Sequence, residues 1–391
     1  MEPEHPQGPA GPAGSEGSEG SEGAVRIVTT TPHPDVVCLG ESMVTFLPSR
    51  PGPLADVPSF DRVIGGAESN VACALARAGH RARWVSRVGA DGFGDHLVRT
   101  IAAQGVDTGA VQRDSARPTG IYFRTDGERP TEHGAGGDGE PTAEVVYYRA
   151  GSAASAMAPG TLPLDTVDAG RVLHLTGITP ALSDGCLALC RALVERPRPH
   201  GPLVSFDVNY RVGLWRSAPA ADPAVGPEVL LHLARHSDVV FVGEDEAAAA
   251  WGVNGGPGAV RAALPEPSVL VVKQGADGAT AFVRDAHAPV QVPAPRVEVV
   301  SPVGAGDAFA AGFLSGTLRG LPLTERLRHG HLMAAAALVV PGDLGVPPAR
   351  EHADRLVALD AAAWGRLRLG PGWTRSGGPD QQPQPSEVRS P

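Results

Sequence analysis

The sequence has 391 residues, of which 42% are apolar and 19% are charged, and this composition is typical of a globular protein rather than a disordered chain. Its formal net charge of -10 argues against nucleic acid or an anionic membrane as a partner, because both are bound by clustered Lys and Arg. With no apolar run of membrane-spanning length and no secretory leader, we expect a cytoplasmic protein that acts on a small molecule.

One folded domain is expected between two polar tails. Residues 1–34 begin with a stretch rich in Gly, Pro, Ser and Glu, and residues 370–391 are rich in Gly, Pro and Gln. Both compositions are typical of solvated, disordered tails. The domain is therefore predicted at residues 35–369.

Short, nearly continuous apolar runs rich in β-branched residues recur along this domain. They begin at Val36, Val172, Leu203, Asp238 and Val269. Such runs are typical of strands buried on both faces, and the segments between them have helical spacing. The alternation predicts an α/β fold in which helices cover a doubly wound, mostly parallel sheet.

Residues 41–64 and 119–149 interrupt this rhythm. In the second segment, apolar residues such as Ile121 and Phe123 alternate with polar ones. A period of two indicates strands with one face exposed to solvent. We interpret both segments as a small β-sheet that acts as a lid and is a candidate surface for homo-oligomer formation. The Gly-, Glu- and Pro-rich stretch from Asp126 to Thr142 is expected to be a surface loop.

The double glycine Gly65-Gly66 leads into an amphipathic segment that stops at Gly79. The pattern predicts a helix whose first turn carries Glu68 and Asn70, and side chains at that position can point into a cleft. Two adjacent glycines also suit a hinge between lid and core. An ordinary turn followed by a capped helix is the alternative interpretation.

Two arginines follow apolar segments, Arg149 in Tyr147-Tyr148-Arg149 and Arg211 shortly after Asp207. Arg211 lies beyond the carboxyl end of a predicted strand, where ligands bind in open α/β sheets. Each guanidinium can form a bidentate pair with a substrate carboxylate. A surface ion pair is the alternative.

Lys273 is the only lysine in the sequence. Val272 and Gln274 flank it, which excludes the Gly-Lys-Ser/Thr core of a Walker A loop. The glycines that follow, Gly275 and Gly278, suit a turn beneath a nucleotide. Chance retention of one lysine is the alternative.

The segment that most strongly indicates a function is the turn Gly304-Ala305-Gly306-Asp307, which begins a predicted helix of small and apolar residues. A helix N-terminus offers N–H groups and positive partial charge, and glycine lets a phosphoryl group approach the backbone closely. Asp307 can accept the proton of an attacking hydroxyl, so the turn predicts phosphoryl transfer. A glycine turn with an Asp cap is the alternative, whereas a dinucleotide fingerprint is excluded because Phe309 occupies its third glycine position.

The four cysteines form no CxxC pair. Cys186 and Cys190 lie four residues apart on a predicted helix, but no neighbouring His or Cys cluster completes a metal site. We expect buried free thiols.

In this order, the segments resemble the PfkB-type, ribokinase-like carbohydrate kinases from about Asp35 to about Leu369. Gly65-Gly66 is similar to the N-terminal signature of that family, and Gly304-Ala305-Gly306-Asp307 is similar to its C-terminal signature. Within the family, the segments around Glu68, Arg149, His174 to Pro180 and Asp207 to Arg211 are similar to those of 2-keto-3-deoxygluconate kinases.

The resemblance implies phosphorylation of the terminal hydroxyl of 2-dehydro-3-deoxy-D-gluconate by ATP with Mg2+. It implies that Asp307 is the base and that Gly304, Ala305 and Gly306 form an anion hole. It places the sugar acid against Gly65, Gly66, Ser69, Tyr122, Tyr147, Arg149 and Arg211. It places the nucleotide against Lys273, Gly275, Ala276 and Gly278, and the metal against Glu246.

This chain departs from the family pattern at Gly243, where an Asn is common, and at Ser301, where an Asp is common. A fructokinase or another sugar kinase of the family is an alternative to the sugar-acid kinase. A non-catalytic sugar-binding protein on the same fold is a second alternative, and Asp307 counts against it.

Overall fold

The computed structural model describes residues 33–50, 52–124, 145–197, 199, 201–216, 225–286 and 288–375. Nearly all of the predicted N-terminal tail, the predicted loop from Asp126 to Thr142 and most of the predicted C-terminal tail lie outside these ranges.

The strands within the described ranges are β1 (Val36–Leu39), β2 (Met43–Pro48), β3 (Phe60–Gly65), β4 (Ala82–Val85), β5 (Arg87–Gly89), β6 (Gln112–Asp114), β7 (Ile121–Arg124), β8 (Val145–Tyr148), β9 (Val172–Thr176), β10 (Leu203–Asp207), β11 (Val239–Gly243), β12 (Val269–Lys273), β13 (Ala279–Val283), β14 (Val290–Val292), β15 (Arg296–Val297) and β16 (Arg368–Leu369).

The helices within the same ranges are α1 (Ala67–Arg77), α2 (Gly92–Ala102), α3 (Leu164–Asp168), α4 (Asp184–Glu195), α5 (Val212–Arg216), α6 (Val225–Arg235), α7 (Glu244–Trp251), α8 (Pro257–Ala263), α9 (Ala305–Leu318), α10 (Leu323–Leu338), α11 (Arg350–Val357) and α12 (Ala361–Gly365).

A central sheet of eight strands has the order β14-β13-β12-β11-β10-β9-β1-β4. The strands from β12 to β4 pair in parallel, while β13 and β14 extend the sheet in antiparallel fashion. The five strands predicted from β-branched runs all lie in this sheet, which confirms the mostly parallel α/β fold.

The burial of both faces of β1 explains why the predicted strands are continuous apolar runs in the sequence. Val36 and Cys38 belong to one hydrophobic core, whereas Val37 and Leu39 belong to a second core on the opposite face. Helices α1, α9 and α10 cover the first face, and α4 and α6 cover the second. Both faces of the strand are therefore buried, as in other parallel sheets.

A second sheet of four strands has the order β3-β2-β7-β8, with β2 and β7 parallel and the other pairs antiparallel. Its strands fall within residues 41–64 and 119–149, except that β3 extends one residue further, to Gly65. Phe46 stacks on Phe123 with ring centroids 4.7 Å apart, while Tyr148 on β8 is 62% exposed. The action of this sheet as a lid or as an oligomer surface stays a prediction.

The two sheets meet where their strands end. β1 runs through Gly40-Glu41-Ser42 into β2, and β3 ends at Gly65, with only Gly66 between it and the start of α1. The carboxyl ends of the parallel strands, the first turn of α1 and the four-stranded sheet therefore share one region, which is the usual ligand side of an open α/β sheet.

The four cysteines are free and buried, as predicted. No helix within the described ranges is long and apolar enough to span a membrane.

Candidate active site

The predicted anion-binding turn is the N-terminus of α9. Gly304 occupies the N-cap position with a φ of 79°, a left-handed conformation that strongly favours glycine. A Cβ on Gly304 would also overlap the backbone carbonyl of Asp343. The turn is therefore constrained both by backbone geometry and by the loop packed on it, and the N–H groups of the first helical turn lie at a position suited to an anion.

Asp307 lies in the first turn of α9 and is 8% exposed. Asn70 of α1 donates from Nδ2 to Asp307 Oδ2 at 2.9 Å, and Asn209 donates from Nδ2 to Asp307 Oδ1 at 3.5 Å. Asn209 follows β10 with a φ of 41°, in the left-handed region that Asn tolerates better than most residues. Side chains from two separate segments thus orient this carboxylate.

Glu68, in the first turn of α1, is completely buried rather than directed into an open cleft. Thr176 and Thr179 donate their hydroxyl hydrogens to Glu68 Oε1 at 2.8 and 2.7 Å. Gly40 makes room for the carboxyl group, because a Cβ at position 40 would overlap it. Burial raises the pKa of Glu68 to about 7, against the effect of the two threonines.

The double glycine forms the junction between β3 and α1. A Cβ on Gly65 would lie 3.0 Å from Asp343 Oδ2, so the backbone is closely packed there. Ser69 is completely buried beneath the junction and donates from Oγ to Ser42 Oγ, with the carbonyl of Gly66 also at 3.0 Å. The side chain of Ser69 therefore supports the turn from below.

Two tyrosines of the four-stranded sheet stand beside this junction. Tyr122 is buried and its hydroxyl donates to Asp343 Oδ2 at 3.3 Å, while Tyr147 lies against it with ring centroids 5.3 Å apart. Arg124 reaches the same aspartate, with Nη1 3.2 Å from Asp343 Oδ1. Asp343 thus ties β7 to the loop that packs on Gly304.

Both predicted substrate arginines have carboxylate partners within the chain. Arg149 pairs with the buried Glu41, which also accepts a hydrogen bond from Ser152 Oγ at 2.7 Å. Arg149 stacks over Tyr147 at 5.6 Å from the ring centroid, and its buried Nε has no hydrogen-bond partner among the described residues. Arg211 Nη1 lies 3.6 Å from Glu246 Oε1.

The carboxylates of Glu41 and Asp343 were not among the site residues predicted from the sequence. Glu41 stands at the carboxyl end of a predicted strand, and that position is a usable signal. Asp343 lies 221 positions from Tyr122, and nothing in its local sequence indicates their contact.

Lys273 ends β12 and extends toward the same region. Its Nζ donates to both carboxylate oxygens of Asp207, at 2.9 and 3.0 Å. Burial by itself lowers the pKa of Lys273, but the carboxylates of Asp207 and Glu246 outweigh it and raise that pKa above its ordinary value. The lysine is therefore a fixed cation beside the turn Gly304-Ala305-Gly306-Asp307.

The other predicted nucleotide residues form the tight turn after Lys273. Gly275 and Gly278 both have positive φ, 58° and 123°, and Ala276 lies between them in a short 3-10 turn. A Cβ on Gly278 would overlap the backbone carbonyl of Val292. Backbone shape explains these glycines, and their contact with a nucleotide stays a prediction.

Glu246 is the predicted metal ligand and lies in the first turn of α7. Its Oε2 accepts a hydrogen bond from the backbone N–H of Gly243 at 2.7 Å. No group of three or more His, Cys, Asp or Glu in the described part of the chain is arranged to hold a metal ion. Carboxylate oxygen nevertheless suits Mg2+, which in kinases takes one or two protein carboxylates together with phosphate oxygens.

Comparison with known proteins places this arrangement in a family. The sequence matches the profile described as pfkB family carbohydrate kinase over residues 33–349. It is 34% identical over 320 residues to the 2-dehydro-3-deoxygluconokinase of Bacillus subtilis (strain 168), covering 81% of this chain and 93% of that protein. It is 32% identical over 285 residues to fructokinase-1 of Zea mays, covering 71% of this chain and 81% of that protein.

A solved structure agrees with the sequence match. The crystal structure of a PfkB protein from Polaromonas sp. JS666 has 33% sequence identity and a TM-score of 0.67, and the match covers 78% of this chain and 95% of that one.

Proposed function

Because the chain belongs to the pfkB family of carbohydrate kinases, we propose that it phosphorylates 2-dehydro-3-deoxy-D-gluconate at its terminal hydroxyl, with ATP as the phosphoryl donor. The products are the 6-phospho sugar acid and ADP. The observation that carries the proposal is the Asp307 carboxylate in the first turn of α9, oriented by Asn70 and Asn209.

The chemistry follows from the order of groups along the turn. The terminal hydroxyl oxygen forms a bond to the γ-phosphorus while the bond from that phosphorus to the bridging oxygen of ADP breaks. Asp307 accepts the hydroxyl proton, as a general base within reach of the acceptor. The amides of Ala305 and Gly306, behind the left-handed Gly304, stabilise the charge on the transferring phosphoryl oxygens.

The sugar-acid substrate is supported by the arginines and by the match to the Bacillus subtilis protein. A keto acid carries a carboxylate and a neutral hexose does not. Arg149 keeps a buried Nε without a hydrogen-bond partner among the described residues, and an unsatisfied buried donor of a charged group is costly unless a ligand completes it. Arg211 supplies a second guanidinium beside the carboxyl edge of the sheet.

Mg2+ belongs to the proposal through Glu246. When bound, the ion would neutralise charge on the nucleotide phosphates, and Glu246 is the side chain that would hold it.

A coupled assay of ADP release over sugars and sugar acids tests the substrate. We expect 2-dehydro-3-deoxy-D-gluconate to be preferred over fructose and ribose, and we include the galacto epimer because stereochemistry is a separate question. Arg211→Ala should lower kcat/KM for the keto acid by about 100-fold and for a neutral sugar by less than about threefold, since a charged hydrogen bond is lost only with the acid.

The fructokinase alternative is supported by the similarity to the Zea mays protein. It predicts the opposite result, in which fructose is the best acceptor and Arg211→Ala affects both substrates equally. Equal losses would remove the argument from the arginines.

A further inference from the structure

Lys273 reaches the active-site turn from a distant strand. Asp207 ends β10 and Lys273 ends β12, with β11 between them, so the lysine side chain crosses the edge of β11 to meet the aspartate. The side chain of Lys273 is 19% exposed and that of Asp207 is 2% exposed. The ammonium group is therefore hydrogen-bonded to a partner that is itself buried in the core.

The position of that ammonium group is next to Gly306. A Cβ added to Gly306 would lie 3.6 Å from Lys273 Nζ, and outside the chain neighbours of Gly306 and the backbone of α9 no other described atom lies within 4 Å of that point. Nζ donates two hydrogen bonds, both to Asp207, so one of the three N–H donors of the ammonium group has no acceptor among the described residues. The positive charge therefore lies beside Gly306, within the turn whose amides the proposed reaction uses.

An ion pair with a purely structural role is a weak explanation for this arrangement. Buried ion pairs are often replaced by apolar residues without loss of stability, because desolvation offsets their attraction. Every other fixed side-chain cation of the sequence is arginine, and a planar guanidinium is wider than an ammonium group. The compact lysine fits between Asp207 and Gly306, and it faces the one turn where phosphoryl charge would develop.

We propose that Lys273 is a further catalytic residue, whose ammonium group donates a hydrogen bond to an oxygen of the phosphoryl group during transfer, and that Asp207 is the positioning residue that holds it. Lys273 stays protonated throughout and exchanges no proton, because the hydroxyl proton goes to Asp307. This inference rests on the proposed kinase reaction. It assigns the lysine side chain to the transferring phosphoryl group rather than to the nucleoside.

Lys273→Met tests the proposal, since it keeps the length of the side chain and removes the charge. We expect kcat to fall by about 100-fold, as for loss of one electrostatic donor at a transition state, with the KM of the sugar changed by less than about threefold. Arg284→Met, at a cation that is 53% exposed and lies directly after β13, is the matched control and should behave like the parent.

Nucleotide binding gives a second readout that needs no acceptor. Calorimetry with AMP-PNP and ADP should show that Lys273→Met weakens AMP-PNP by about tenfold relative to ADP, because only AMP-PNP carries the third phosphoryl group. An unchanged ratio of the two affinities would overturn the proposal, whatever happens to kcat.

The double variant Lys273→Met with Asp207→Asn separates catalysis from a structural ion pair. If the pair is only structural, removing both charges relieves the unpaired carboxylate and turnover returns to near the parent value, which overturns the proposal. If Lys273 acts on the phosphoryl group, the double variant stays at least as slow as Lys273→Met. Should Lys273→Met fail to fold, the double variant, which leaves no unpaired carboxylate at position 207, supplies the same AMP-PNP and ADP comparison.

The assay of the parent protein tests the substrate proposal independently of the proposal for Lys273. If the parent prefers a neutral sugar, the sugar-acid proposal fails, while the effect of Lys273→Met is still measured with that preferred sugar.

Discussion

Replacing Glu68 by Gln is expected to remove a pH-dependent loss of stability. The carboxyl group is completely buried, and burial raises its pKa from 4.5 to about 7, although the hydroxyls of Thr179 and Thr176 act in the opposite direction. Gln keeps the shape of the side chain and an oxygen that both hydroxyls can reach, but it cannot ionise.

The size and sign of the effect follow from the two pKa values. Below pH 4.5 the carboxyl group is protonated in both the folded and the unfolded chain. Its burial then does not reduce the free energy of unfolding. Between pH 4.5 and about 7 only the unfolded chain ionises, so the free energy of unfolding falls as the pH rises. At about 1.4 kcal/mol per pKa unit, the total loss is about 3 kcal/mol, or roughly 4 °C in melting temperature for a domain of this size.

Urea unfolding followed by tryptophan fluorescence at about pH 5 and about pH 8 measures the difference. The free energy of unfolding of Glu68→Gln, relative to the parent, should be higher at the upper pH by about 2.5 kcal/mol than at the lower pH, because part of the loss has already occurred at about pH 5. Glu351→Gln, at an exposed carboxylate on α11, is the matched control and should follow the parent at both values. Parallel pH profiles for Glu68→Gln and the parent would refute the reasoning.

Two further predictions concern the turn itself. Asp307→Asn should lower kcat by about three orders of magnitude while ATP affinity by calorimetry and the melting temperature stay near those of the parent, and near-normal turnover would contradict the role of Asp307 as base. Gly304→Ala should lower stability by about 2 kcal/mol and kcat by at least about tenfold, because alanine at a φ of 79° is strained and its Cβ overlaps the carbonyl of Asp343. Gly92→Ala, where a Cβ meets nothing within 4 Å, is the control, and equal behaviour of the two glycine variants in thermal unfolding and turnover would show that the turn tolerates a side chain.

The fold was predictable wherever burial leaves a local pattern. β1 is buried on both faces, and its four apolar residues follow one another without a polar interruption. The helix after Gly304 was predictable for a similar reason, since a glycine turn followed by small and apolar residues indicates both its start and its burial.

The electrostatic partners in the site were not predictable in the same way. Arg149 and Glu41 lie 108 positions apart, and Lys273 and Asp207 lie 66 positions apart. Lys273 and Asp207 meet because β12 and β10 end at the same edge of the central sheet, whereas Arg149 and Glu41 meet where the four-stranded sheet joins the central one. In both pairs, the sequence near one partner does not indicate the other. Sequence analysis therefore identified the arginines and the lysine as candidates without identifying what holds them.

Asp343 connects the four-stranded sheet to the turn at Gly304. Its side chain binds Arg124, while its backbone carbonyl packs where a side chain at position 304 would stand. In evolutionary terms, positions 124 and 343 are expected to change together among relatives of this chain, and position 304 to stay glycine wherever the loop keeps this path. An alignment of homologues would thus record, as correlated substitutions, a contact that a single sequence does not reveal.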